Sequence, residues 1–252
     1  MGKLEAYVIN LSTRIDRWAR IQEELSDTFV LNRREGCIES VTHLGCTMSH
    51  IKIAKEAFSN EETQWCLVLE DDAFIQSKEK LTTYIISALK YITHWDMVVF
   101  SATLLQDLYN IDKLDVANYL PNSIKKTPTP FFIEVGPSDN IVSSAAVLYS
   151  RSSLPLLNDY GDKAQLFREN NLAVPIDRFL FTDRWFGKYR WNKPRVWISH
   201  ELLVKQHDGY SDIRKQNVYH NLRHTQKFLD AALMKATDYE PVEFRTLDFK
   251  VK

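Results

Sequence analysis

Residues 66–74 read Cys-Leu-Val-Leu-Glu-Asp-Asp-Ala-Phe, an apolar run that stops at three successive carboxylates, Glu70, Asp71 and Asp72. Such a run reads as a buried strand delivering its C-terminal end into a site. Alternation along an extended chain puts Glu70 and Asp72 on one side and Asp71 on the other, so Glu70 and Asp72 can face one ion together. Clustered negative charges repel one another, and a cation or a hydrogen-bond network offsets that cost. Ligands made only of oxygen select a hard divalent ion, Mg2+ or Mn2+, which completes its shell with water and substrate phosphates. The alternative for the same tripeptide is a solvated acidic turn after a strand.

Upstream, Ala6 to Leu11 read as a first buried strand, and Thr13 with Asp16 has the spacing of a capping box opening a helix. Ile15, Trp18, Ile21 and Leu25 recur at helical spacing and end that helix near Leu25. Strand, turn and helix entry together suit a nucleotide-binding α/β sheet, whose ligands collect at the carboxyl ends of strands. Arg14 and Arg17 could reach a pyrophosphate there; two solvated arginines are the alternative. A second amphipathic helix follows Gly45, with Met48, Ile51, Ala54 and Phe58 on one stripe and a small, close-approach start. Cys37, His43, Cys46 and His50 match no common zinc spacing, and core cysteines with capping polar groups are the expectation there.

Downstream, Lys80 to Tyr91 has a helical pattern, Trp95 to Phe100 reads as a buried strand, and residues 101–130 are irregular. Phe131 to Val135 and Ala145 to Tyr149 look like further strands, and Ser152 stands where it would cap a short helix ending near Tyr160. Asp177 occupies a helix-cap position, and Phe179, Phe181, Trp185, Phe186, Tyr189, Trp191 and Trp197 crowd the stretch after it. A core explains most of these aromatics; one or two could stack on a sugar. His200-Glu201-Leu202-Leu203-Val204 lacks the second histidine of a zinc-protease motif. Gln206 to Ile213 form a polar turn, after which Asp212 would cap a long helix buried through Val218, Leu222, Leu229 and Leu233. Its basic face, with Arg214, Lys215, Arg223 and Lys227, is solvated by default, with peripheral membrane contact as the alternative.

The chain has 252 residues, which fits one large α/β domain, and its 32 basic and 33 acidic side chains leave a formal net charge of -1. That balance offers no general attraction to nucleic acid or to an anionic membrane. Three cysteines form no CxxC pair and leave one over, which argues against a disulfide framework and for a reducing compartment. No apolar run approaches the ~20 residues of a bilayer span, and no signal-peptide layout opens the chain. A soluble, intracellular, cytoplasmic protein is therefore expected. None of the 7 glycines falls in a GxGxxG or phosphate-loop pattern, so those two nucleotide-binding signatures are excluded.

Taken in order, YVINL-STRIDRW, GCTMSHIKIAKEA, LVLEDDAF, WDMVVF, PIDRFLF and VKQHDGYSDI resemble glycosyltransferase family 25, the group of lipooligosaccharide and procollagen galactosyltransferases. The resemblance runs from about Tyr7 to Ile213. It implies a single Rossmann-like α/β domain of GT-A type, with a central, mostly parallel mixed sheet flanked by helices. On that reading residues 1–213 form the glycosyltransferase domain, and 214–252 a C-terminal helix and tail packed on it. It also implies a UDP-galactose or UDP-glucose donor and Mn2+ (or Mg2+). Asn10, Arg14, Asp16 and Arg17 match the opening motif near the nucleotide, and Gly45, Ser49 and His50 the second motif. Asp72 matches the direct metal ligand, Glu70 and Asp71 its companions, and His207 a late metal ligand, with Gln206, Ser211 and Asp212 completing the closing motif. Asp177 matches an aspartate after a proline and is the candidate general base. His200, Glu201 and the pair Ser143-Ser144 depart from the family pattern on the presumed acceptor side.

The chemistry agrees with these roles, since a departing diphosphate needs its charge neutralised and an acceptor hydroxyl needs a base. The expected activity is metal-dependent transfer of a hexose from a UDP-sugar to a hydroxyl of a glycan or glycoprotein, with inversion. Two rivals stand beside it: a non-catalytic nucleotide-sugar-binding protein of the same fold, and a metal-dependent phosphoesterase using the same carboxylates.

Overall fold

The apolar alternation of the strands sorts the chain into three layers. The computed structural model describes residues 2–40, 43–104, 125–126, 132–135, 141–170, 194–207, 209–211, 216–218, 223–235 and 237–238. In chain order these hold β1 (Leu4–Asn10), α1 (Ile15–Leu25), β2 (Phe29–Glu35), α2 (Leu44–Ala57), β3 (Trp65–Glu70), β4 (Ala73–Ile75) and α3 (Lys78–Tyr91). Then come β5 (Met97–Val99), β6 (Thr103–Leu104), β7 (Lys125–Lys126), β8 (Phe132–Val135), β9 (Ile141–Val142), β10 (Ala146–Ser150) and α4 (Leu154–Glu169). The last elements are β11 (Val196–Ser199), β12 (Val204–Gln206), β13 (Gly209–Ser211), β14 (Gln216–Val218), α5 (Arg223–Lys235) and β15 (Thr237–Asp238). Asp177, Asp212 and the aromatic positions from Phe179 to Trp191 lie outside the described residues.

A nine-stranded sheet runs in the order β15-β7-β8-β11-β5-β10-β3-β1-β2. β8 and β10 run against the other strands. The expected α/β class is therefore present: a mostly parallel mixed sheet flanked by helices, with a helix near the C-terminus. Cys66 and Val68 of β3 face a core shared with α2, α4 and α5, through Ile51, Tyr160 and Phe228 among others. Leu67 and Leu69 face the opposite core, built with α1 and α3 through Ile21, Leu25, Leu81 and Ile85. Because β1, β2 and β3 are parallel, their carboxyl ends share one edge. The antiparallel β10 starts at that same edge.

Several local expectations are corrected. The α1 N-cap is Arg14, with no side-chain cap bond, so Thr13 and Asp16 form no capping box, and Ile15 is exposed rather than on the buried stripe. β2 opens on Phe29-Val30-Leu31 but continues with polar residues, so it shows no apolar alternation along its length. It is an edge strand whose polar side chains find charged and aromatic partners: Arg34 bonds Glu56 at 2.5 Å and lies over Tyr7, and Arg33 lies over Trp18. The helix after β10 runs to Glu169, and Ser152 binds Asp96 (2.6 Å) instead of capping it. Val218 belongs to a strand and not to the expected long helix: Gln216–Val218 pair with Gly209–Ser211 as a hairpin, and the described helix α5 spans Arg223–Lys235. Among the described residues, no helix is long and apolar enough to cross a membrane.

Among the described glycines, Gly45 at the start of α2 has the closest neighbour. A Cβ at Gly45 would overlap the backbone carbonyl oxygen of Cys37, so only glycine lets the Gly36–Ser40 loop lie against this helix. Ser49 fastens the same loop: it accepts from Cys37 N and donates to Gly45 O, both at 2.7 Å. Gly45→Ala is expected to cost about 1–3 kcal/mol, lowering the urea midpoint with an unchanged m-value. An unaltered midpoint would show that the loop does not need this contact.

Candidate active site

Parity along β3 decides what surrounds each carboxylate. Glu70 follows Cys66 and Val68 and turns to the α2 side. There its Oε1 accepts from Ser144 Oγ at 2.6 Å, with Cys46 Sγ and His50 Nε2 each at 3.5 Å. His50 is fully buried and bonds the Tyr149 hydroxyl through Nδ1 at 3.0 Å. Burial alone would push the Glu70 carboxyl up, but His50 first, then Ser144 and Cys46, hold it below the usual range.

Asp71 follows Leu67 and Leu69 and turns to the α1 side. Its two carboxylate oxygens accept from Asn10 Nδ2 (2.7 Å) and Arg17 Nη1 (2.8 Å), and its carbonyl accepts from Arg20 at 2.8 Å. Asn10 Nδ2 also donates to Arg14 O, tying the end of β1 to the entry of α1. β3 ends at Glu70, so Asp72 lies in a turn where alternation no longer applies. Its Oδ2 is 4.0 Å from the Arg17 guanidinium that holds Asp71, while its Oδ1 is buried with no hydrogen-bond partner among the described residues. Burial, then the charges of Glu70 and Asp71, push the Asp72 carboxyl up to about 7 against the pull of Arg17 and Arg20. The expected pairing of Glu70 with Asp72 is thus corrected: the turn leaves Glu70 with α2 and Asp72 beside α1.

The closing motif reaches the same corner from far along the chain. β12 pairs antiparallel with β4, Gln206 opposite Ala73, and His207 N donates to Asp72 O at 2.7 Å. The His207 ring packs edge-on against Phe74, with Nε2 3.8 Å from Glu24. Arg14 and Asp16 bond each other at 3.1 Å at the entry of α1. Gly45 and Ser49 hold the Cys37 loop, and Ser49 is buried.

Sequence reasoning missed Cys46, Ser144 and Arg20 as neighbours of the acidic turn. Ser144 was flagged only as a departure from the family pattern; its hydroxyl reaches Glu70 because β10 begins beside the end of β3. The preceding Ser143 has φ 122°, a strained conformation for a residue with a side chain, and its hydroxyl bonds Ser101 Oγ at 3.1 Å. An open depression of about 780 Å³ lies beyond β4, lined by Glu23, Glu24, Phe74, Lys78 and Glu79 among others. Its three glutamates suit a diphosphate poorly, and none of the three carboxylates at 70–72 lines it.

Residues 32–135 match the family model for glycosyltransferase family 25, described as LPS biosynthesis protein. That span includes the α2 motif and the acidic turn; the opening motif, Asp177 and the closing motif lie outside it. No protein of curated function matches the chain. Among solved structures, the chain is similar to a glycosyltransferase involved in glycosylation of the major capsid of PBCV-1, at 14% identity, covering 85% of this chain and 97% of that one, with a TM-score of 0.43. It is similar to A197 from STIV at 11% identity, covering 87% and 95%, with a TM-score of 0.42. A UDP-glucose pyrophosphorylase complexed with UDP-glucose follows at 10% identity, covering 90% and 74%, with a TM-score of 0.36. Over residues 32–135 the resemblance to glycosyltransferase family 25 is borne out, and glycosyltransferase is the enzyme class that this match supports.

Proposed function

We propose that the chain transfers a hexose, galactose or glucose, from a UDP-sugar to a hydroxyl of a glycan or glycoprotein, using Mn2+ or Mg2+ and inverting the anomeric carbon. The observation that carries this reading is Asp72 Oδ1, a buried carboxylate oxygen with no hydrogen-bond partner among the described residues at the carboxyl edge of the sheet. An ionised oxygen in that state is costly, and a hard cation relieves the cost. The residues present fit such an ion: Asp72 would hold it, with His207 the neighbouring candidate ligand. Glu70, engaged by Ser144 and α2, would shape the corner from behind. When bound, the ion neutralises the departing diphosphate.

The chain's own residues supply the rest. Arg17 and Asn10 fix Asp71, so the turn presents Asp72 in one orientation. Arg14, the N-cap of α1, and Arg17, in its first turn, supply positive charge on the nucleotide side. Asp177 is proposed to take the proton of the acceptor hydroxyl as its oxygen attacks the anomeric carbon and the bond to UDP breaks. Residues 1–213 would be the catalytic unit with 214–252 packed on it; Phe228, Leu229 and Ala232 of α5 share the α2 core, which supports that division. Three free thiols fit a cytoplasmic setting.

UDP release from UDP-galactose and UDP-glucose is expected to require Mn2+ or Mg2+. Asp72→Ala should lower metal-dependent turnover at least ~10²-fold, and Asp177→Asn by ~10²–10⁴-fold. Full turnover in Asp72→Ala would remove the metal assignment, and full turnover in Asp177→Asn the base. UDP-sugar binding without transfer to any acceptor would favour the non-catalytic alternative.

The raised Asp72 carboxyl makes two pH predictions. Proton and cation compete for it, so Mn2+ affinity measured by calorimetry should tighten by about tenfold per pH unit below about 7 and level off above. Without metal, the native state keeps this proton up to about 7 whereas the unfolded carboxyl loses it near ~3.9, so native protein binds more protons in that window and stability falls as pH rises through it. Asp72→Asn should therefore stabilise the metal-free protein at pH 8 by on the order of 1–2 kcal/mol and lose that advantage below pH ~4. An Asp72→Asn protein no more stable than its parent at pH 8 would contradict the strain assigned to this carboxylate.

A further inference from the structure

We infer that Cys46, His50 and Glu70 form a second cation site, distinct from the one proposed at Asp72 and selective for Zn2+. Cys46 and His50 are four residues apart on α2 and so project from one face of the helix. Glu70 meets them from the end of β3, and the three candidate ligand atoms all lie within 4.8 Å of one another. Glu70 Oε1 is 3.5 Å from both Cys46 Sγ and His50 Nε2. With bonds of about 2.3 Å to sulfur and about 2.0–2.1 Å to nitrogen or oxygen, the edges of a tetrahedral zinc shell span roughly 3.3–3.6 Å. The two edges that meet at Glu70 therefore already have the length an ion would set.

The surroundings point the same way. His50 is fully buried, and its Nε2 makes no hydrogen bond of good geometry among the described residues. Its other nitrogen is taken by the Tyr149 hydroxyl at 3.0 Å, an outer partner of the kind that orients a ligating imidazole and leaves Nε2 for the metal. Ser144 Oγ holds Glu70 at 2.6 Å and stands 3.9 Å from Cys46 Sγ. A thiolate, an imidazole and one carboxylate select a borderline-soft ion over Mn2+ or Mg2+. Binding forms the sulfur–zinc bond and releases the thiol proton to solvent. The bound ion would bolt the start of α2 to the end of β3, directly behind the acidic turn. The motif of small and polar residues at 45–50 would then have two tasks: Gly45 and Ser49 hold the loop, while Cys46 and His50 hold the ion.

Titration of the full-length, metal-free chain with Co2+ tests this. One equivalent per chain should give a thiolate-to-cobalt charge-transfer band with visible bands of tetrahedral intensity. One equivalent of Zn2+ should displace the band, Mn2+ should not, Cys46→Ser should lose it and Asp72→Ala should keep it. Failure of the Asp72 reading would thus leave this result untouched. No charge-transfer band in the parent protein, or a band that survives Cys46→Ser, would overturn the site. Should Cys46→Ser fail to fold, alkylation of the parent decides: Zn2+ should slow modification of Cys46 at least about tenfold and leave Cys37 unchanged. Equal modification of Cys46 with and without Zn2+ would overturn the proposal.

Discussion

The clamp on Asp71 is the interaction on which the rest of the corner depends. Three consecutive carboxylates cannot share one face of a strand end without strong repulsion. The chain separates them by sending Asp71 to the α1 side, where Asn10 and Arg17 each take one of its oxygens. Both partners come from the first strand-helix unit, so the opening of the chain and the turn some sixty residues later hold each other in place. Arg20 adds a bond to the Asp71 carbonyl and fixes the turn's backbone as well. Asp71 is paired in this way, while Asp72 Oδ1 is left buried with no hydrogen-bond partner among the described residues. Its carboxyl is pushed upward by burial and by its two acidic neighbours, and those are the conditions under which a carboxylate exchanges its proton for a cation.

Much of this was legible in the sequence, because parity is a local property. The apolar residues of β3 announced a buried strand, and their alternation correctly assigns Glu70 and Asp71 to opposite layers. The same rule failed one residue later. Asp72 sits in a turn that no periodicity marks, and its environment depends on Arg17 of α1 and on the backbone of His207, both distant in sequence. β2 was hidden for a different reason: beyond Phe29 and Leu31, which pack on the core, this edge strand stacks charged side chains on aromatic rings and shows no alternation. Ser144 could be noticed only as an oddity, since its contact with Glu70 follows from the antiparallel entry of β10 and not from any motif. Cys46 and His50 had the wrong spacing for a zinc motif within one segment. Their partner is supplied by another strand, beyond the reach of a pattern read along a single stretch.

Glu70 and Asp72 therefore belong to two chemically different environments. The α2 side offers sulfur, imidazole and a carboxylate; the α1 side offers carboxylate oxygen beside the arginines of α1. Hard and soft ligand sets of this kind sort cations by type, so on the two proposals made above one acidic tripeptide would serve two different ions. Gly45 and Ser49, which matched a nucleotide-binding motif, act on this arrangement from a distance by setting how closely the loop before α2 can approach.

The most direct measurement of the central claim is a crystal grown with UDP and Mn2+, with the ion located by anomalous scattering. The account predicts a manganese peak in contact with an Asp72 carboxylate oxygen and next to the diphosphate, with Asp71 still held by Asn10 and Arg17. A diphosphate bound elsewhere on the molecule, or a manganese peak that leaves the Asp72 carboxylate untouched, would contradict it.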